Sequence, residues 1–180
     1  YLPFAEGSHS GEILADLILG NIDAIEMTPR QDSSYPNLED YHELCQAEIV
    51  GPLVGASGKN SNQMPLGVMR TYAYLPPDQP FTFTSWIEAV RSGCTFVSNG
   101  PLLHFTINGR VPQRSLNLAA DRVLQIHAEA QSWEPFERVE LLWNGKSIAD
   151  SSPTSSVPYR AILDHELIVE RAGWLAVKCN

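Results

Sequence analysis

"SNGPLLHFTING", residues 98–109, is the stretch on which the fold turns. Asn99-Gly100-Pro101 reads as a turn, because Gly permits a positive φ and Pro fixes the exit into the next segment. Before it, helix and strand signals alternate. After it, Leu103, Phe105 and Ile107 alternate with His104 and Thr106, the period-two pattern of a half-buried strand, and Asn108-Gly109 is a tight-turn signal. The junction divides the 180-residue chain into an α/β region over residues 1–100 and an all-β region over 101–180.

The period-two pattern persists downstream. Leu124, Ile126, Ala128 and Ala130 alternate with Gln125, His127 and Glu129, and Val139, Leu141 and Trp143 run into Asn144-Gly145. Residues 159–163 and 173–179 read as two further strands, and 151–156 as a polar loop. Short strands separated by turns, without a helix pattern, predict an antiparallel β-sandwich from Leu102 onward. Its expected core holds Phe105, Ile126, Leu141, Trp143 and Trp174.

Upstream of the junction the period is helical. Ser10 is placed to cap a helix carrying Ile13, Leu14, Leu17 and Ile18 on one face, with Gly20 at its end. Residues 22–27 form a short apolar strand, and 28–36 a loop. Asn37, with Asp40 in capping-box position, opens a second helix with Leu38, Tyr41 and Cys45 on one face. Residues 53–56 and 70–75 are two more buried strands. This β-α-β-α rhythm predicts part of a parallel α/β layer. Thr84 or Ser85 then caps a helix with Glu88 in its first turn, a core face of Trp86, Ile87 and Val90, and Gly93 closing it.

Composition narrows the partners. A net charge of −9 argues against a nucleic-acid surface. No apolar run approaches the roughly 18 residues of a membrane span. No signal segment opens the chain, which begins at Tyr1 and is expected to be a processed chain or an excised fragment. The three cysteines, Cys45, Cys94 and Cys179, are far apart and form no CxxC pair, so they read as small buried hydrophobes.

"VGASGKNSN", residues 54–62, has the look of a binding loop directly after a strand. It is not a P-loop: Leu53 stands where the first glycine is needed and Asn60 where the hydroxyl belongs. The histidines His9, His42, His104, His127 and His165 include no HxH, HxxxH or HExxH pair. His9 lies in a Gly/Ser loop between Ser8 and Ser10. His42, near Glu39 and Glu43, is a possible metal corner or, more simply, part of a solvated helix face. His104 and His127 fall on outward faces, where an exposed polar residue needs no function. Asp23 and Glu26 bracket a strand, and a partner Arg or backbone group accounts for them more simply than catalysis does.

Several segments together resemble the CehA/McbA-type metallohydrolases of the PHP (polymerase and histidinol phosphatase) superfamily. They are WIEAVRSGCTFVSNGPLLHFTING (86–109), Arg70-Thr71-Tyr72, LILGNIDAIEM (17–27), Arg138-Val139-Glu140 with Asn144-Gly145, and Gly173-Trp174-Leu175-Ala176-Val177. The resemblance implies that residues 1 to about 76 are the closing portion of a distorted β/α barrel and that the sandwich is an appended domain. It also implies zinc or manganese held by His and Asp/Glu, activating water to hydrolyse ester, carbamate or phosphoester bonds. The chain departs from the family at the metal. The N-terminal His-x-His is missing, and the late Gly-Thr/Ser-Asp stretch aligns with Gly55-Ala56-Ser57-Gly58-Lys59, putting Ser57 at the aspartate and Lys59 two positions on. An ammonium repels a divalent ion by several kcal/mol at a few Å in a partly buried site. The chain by itself is therefore expected to hold no cofactor and to lack hydrolase activity. The alternative is a non-catalytic binding or interaction module with the sandwich as recognition domain. Its expected ligand is a small molecule or anion, and its expected partner the remainder of the parent barrel if the chain is a fragment. Lys59, Asn60 and Arg70 are the candidate anion-binding residues.

Overall fold

The computed structural model describes residues 11–27, 38–59, 61–118 and 122–180. The chain forms two compact units, Tyr1–Asn99 and Gly100–Asn180. Strands dominate, several sheets are antiparallel, and the described residues close no barrel.

In the first unit the order is α1 (Gly11–Leu19), β1 (Ile25–Met27), α2 (Leu38–Gln46), β2 (Leu53–Gly55), β3 (Arg70–Ala73), α3 (Phe83–Arg91) and β4 (Thr95–Ser98). β1 and β2 are parallel, with Ile25 opposite Leu53 and Met27 opposite Gly55. Leu17, Ile25 and Leu44 are buried together, with Ile22, Tyr41, Ile49 and Leu53 packed around them. Gly51 lies against this cluster, and the Tyr41 hydroxyl donates to its carbonyl at 2.9 Å. Ile18, placed by periodicity on the apolar face of α1, is 62% exposed. The Ser10, Asn37 and Asp40 capping expectations and His9 lie outside what is described, either wholly or in their side chains.

The parallel layer ends at β2. β3 pairs antiparallel with β4, with Thr71 opposite Val97 and Tyr72 opposite Phe96, whose rings stack at 4.8 Å. This corrects the expectation that residues 70–75 continue a parallel α/β layer. The cause is a partner that sequence reading missed: Thr95–Ser98 follows α3 and returns alongside β3. α3 is capped earlier than expected. Thr82 is its N-cap, and Thr82 and Ser85 form a reciprocal capping box, so Glu88 falls beyond the first turn.

The second unit is a sandwich of two antiparallel sheets, ordered β5-β6-β9 and β10-β7-β8. Its strands are β5 (Leu102–Ile107), β6 (Arg122–Ser132), β7 (Val139–Trp143), β8 (Lys146–Ser151), β9 (Tyr159–Val169) and β10 (Leu175–Cys179). One core joins the sheets. Leu124, Ile126, Ala128, Ala130, Ala161 and Leu163 come from one sheet and Val139 and Leu141 from the other, with Phe105, Ile148 and Val177 packed against them. A bulge between Leu141 and Leu142, opposite β8, leaves both leucines buried. Asn144 and Gly145 both take positive φ and form the two-residue turn from β7 to β8. Asn108 and Gly109 do so as well, but they close only a local turn at Ile107–Arg110, since β6 begins at Arg122.

Trp143 and Trp174 are half-buried and stand apart from this core. A Cβ on Gly173 would lie 2.7 Å from the Trp143 ring, and one on Gly145 3.5 Å from the Trp174 ring. The indoles cover glycine backbone beside the β7–β8 turn. Period two assigns them a face but not the glycines that make room for flat rings.

Candidate functional site

Among the described residues, chemistry-bearing side chains come together at the loop after β2 and on the outer face of the β5-β6-β9 sheet.

The loop leaves β2 at the carboxyl end of the parallel pair, where Ala56 N–H donates to the Met27 carbonyl at 3.4 Å. Its first glycine has a packing role. A Cβ on Gly55 would lie 2.6 Å from Val97 Cγ1 and 2.8 Å from Met69 Cγ. That absence of side chain lets β2 approach the β3-β4 pair closely enough for side chains to bond its backbone. Thr71 Oγ1 accepts from Gly55 N–H at 2.8 Å and donates to the Gly55 carbonyl at 2.9 Å. Thr95 Oγ1 donates to the Leu53 carbonyl at 3.0 Å. Threonine hydroxyls thus take the place of a strand ladder along this edge of β2.

Beyond Gly55 the polar side chains brace the loop itself. Ser57 Oγ accepts from Gly67 N–H at 2.7 Å. Lys59 Nζ donates to the carbonyls of Ser61 at 2.9 Å and Met64 at 2.8 Å, tying the segment after it into a turn. Asn60 lies outside the described residues. Arg70 runs past Gly67, its Cδ 4.0 Å from where a Cβ there would sit, and its Nε is buried with no hydrogen-bond acceptor among the described residues. Lys59 and Arg70 therefore flank the same 61–69 segment, but the lysine is directed at backbone carbonyls.

The remaining candidates resolve separately. Asp23 pairs with Arg91, Nε to Oδ1 at 3.0 Å, with both side chains more than half exposed. Glu26 is exposed on β1, and His42 is half-buried on α2. Cys45, Cys94 and Cys179 form no disulfide. Burial pushes the Cys179 thiol up to about 11 and raises that of Cys45, where a hydrogen bond with Tyr41 partly offsets it. Neither is a thiolate at neutral pH, so neither is an activated nucleophile. Among the described residues no three or more His, Cys, Asp or Glu are grouped to hold a metal, and no helix is long and apolar enough to cross a membrane.

The second place was not legible in the sequence. On the outer face of β5-β6-β9, Thr106 is opposite His127 and His127 opposite Asp164, while His104 is opposite Glu129. His127 Nδ1 is 2.7 Å from Asp164 Oδ1. The His104 and His127 ring centroids are 6.2 Å apart in an edge arrangement. Arg160 grips Glu129 with two donors, Nε at 2.6 Å and Nη2 at 2.9 Å. That guanidinium holds the Glu129 carboxyl below its ordinary value and is itself raised by the pair. Gln125 donates to Glu166 at 2.8 Å on the same face. The face is a polar network, with a His–carboxylate pair but no hydroxyl or thiol hydrogen-bonded to the imidazole among the described residues. Alternation marks each of these side chains as outward. What it lacks is the register, because β5 and β6 are joined through a long segment and not through the Asn108-Gly109 turn. Comparison with protein-family models, with curated proteins and with solved structures found no match.

Proposed function

We propose that this chain is a divergent relative of the PHP-type metal-dependent hydrolases, without hydrolytic activity of its own. In this reading β1 and β2 with α1 and α2 descend from the closing part of the β/α barrel, and the sandwich is its appended domain. One observation carries the proposal. At the two positions that the resemblance gives to the metal-binding stretch, Ser57 accepts a backbone N–H and Lys59 caps two carbonyls, so both side chains hold the loop. Neither supplies a carboxylate or imidazole, and an ammonium at this point disfavours a divalent ion. The test is an assay of the purified chain on activated esters and on a phosphodiester, with zinc or manganese added. Turnover at the background rate is expected. Metal-dependent turnover that a chelator abolishes would overturn the proposal, whether or not Ser57→Ala and Lys59→Ala affect it.

A second reading, a binding module for a small anion, has its own support in Arg70. A buried guanidinium Nε without an acceptor is costly, and an oxyanion at the loop would satisfy it. Titration with sulfate or phosphate, followed by calorimetry, tests this on the wild type, Arg70→Gln and Lys59→Ala. Binding that is lost in Arg70→Gln and weakened in Lys59→Ala is expected. Equal heats from all three proteins would dismiss it.

A further inference from the structure

We propose that the outer face of the β5-β6-β9 sheet is a binding site for one divalent transition-metal ion, held by His104 and His127 and positioned by Asp164. The registers make the two histidines diagonal neighbours across β5 and β6, and diagonal side chains on one sheet face are within mutual reach. Their ring centroids lie 6.2 Å apart. Two imidazoles sharing a zinc at about 2.0–2.1 Å per nitrogen have centroids roughly 5 Å apart, so a small rotation of one exposed ring closes the site.

Each ring has a nitrogen to offer. His127 directs Nδ1 at the Asp164 carboxylate, which selects the tautomer with the proton on Nδ1 and turns the Nε2 lone pair outward. This is how a carboxylate commonly orients a metal-bound histidine from behind. His104 has no hydrogen bond to either ring nitrogen among the described residues, and it stands directly across from Glu129. The field favours a cation: among the described residues Glu129, Asp164 and Glu166 on this face are only partly offset by the guanidinium of Arg160.

Glu129 is engaged by Arg160 through both oxygens and does not serve as a third ligand. The protein therefore supplies two nitrogens and water completes the shell, in keeping with no group of three or more ligands among the described residues. Such a site is exchangeable and adds nothing structural to the sandwich. Imidazole ligands prefer copper, nickel and zinc to manganese or magnesium, which distinguishes this site from a carboxylate cluster.

The experiment is calorimetric titration of zinc, and separately of manganese, into the full chain and into His104→Ala, His127→Ala, the double variant and Asp164→Asn, with the imidazole Hε1 resonances followed by NMR. All these side chains lie on a solvent-facing surface, and circular dichroism confirms that each variant is folded. The expected result is zinc binding that shifts two histidine resonances, is absent in the double variant, and falls tenfold or more in Asp164→Asn. Manganese should give no heat. Zinc binding unchanged in the double variant, no zinc binding by the wild type, or manganese bound as tightly as zinc would each overturn the proposal.

Discussion

The two units join their sheets by different means. In Gly100–Asn180 the two sheets meet through apolar side chains. Ala128, Ala130, Val139 and Leu141 have no exposed surface, and the backbone ladders run within each sheet. In Tyr1–Asn99 the β1-β2 pair meets β3-β4 through hydroxyls. Thr71 and Thr95 bond the backbone of β2, and Gly55 provides the space. The described apolar cluster there is Leu17, Ile25 and Leu44 with its four neighbours. Burial is non-directional and scales with area, so the sandwich is sensitive to volume. Hydroxyl-to-backbone bonds are directional and local, so the seam is sensitive to single atoms.

Four substitutions separate these two ways of holding sheets together. The largest effect belongs to the sandwich core: Leu141→Ala removes a side chain with no exposed surface and should cost about 3 kcal/mol, measured by urea denaturation. A loss below about 1 kcal/mol would mean that the core collapses into the cavity and that volume is not what holds the sheets. Next is the seam. Gly55→Ala drives a methyl into Val97 and Met69 and should cost about 2 kcal/mol, with Val97→Ala restoring part of it in the double variant. Strict additivity of the two changes would remove close approach as the reason for the glycine.

A smaller effect is expected of Thr71→Val, which keeps the shape but leaves Gly55 N–H and carbonyl without their partner, for about 1–2 kcal/mol. Faster amide exchange at Gly55 should accompany it, and exchange at the wild-type rate would argue that the hydroxyl does not carry the seam. The smallest is Glu129→Gln on the sandwich surface, at about 0.5 kcal/mol near neutral pH. Here the sign with pH is fixed. Arg160 holds the folded Glu129 carboxyl below its ordinary value, so the pair stabilises above the unfolded pKa of about 4.3. That contribution disappears as pH falls from there through the lower folded value, and wild type and variant should converge in acid. A difference that grows on acidification would reverse the assignment.

Much of the architecture is local and was therefore readable. Alternation in 103–107, 124–130 and 139–143 identifies the buried face of each strand because side chains on a strand alternate by geometry alone. Asn144-Gly145 specifies a two-residue turn because both positions need positive φ, and Gly20, at φ 76°, ends α1 for the same reason.

Only the folded chain decided the rest, and in each case the missing quantity is a distance between residues far apart in sequence. That β3 takes β4 as an antiparallel partner depends on where α3 returns the chain. Glu140, on a strand whose neighbours are apolar, is buried where Lys178 and Asn180 reach its carboxylate from the β10 side. His104 and His127 are diagonal neighbours because one particular register, out of several that satisfy the same alternation, pairs Thr106 with His127. A period of two specifies a face and leaves neighbours open. The neighbour is chosen by the packing of the whole core, where a shift by two residues would keep every side chain on its proper face and still exchange every partner across the sheet.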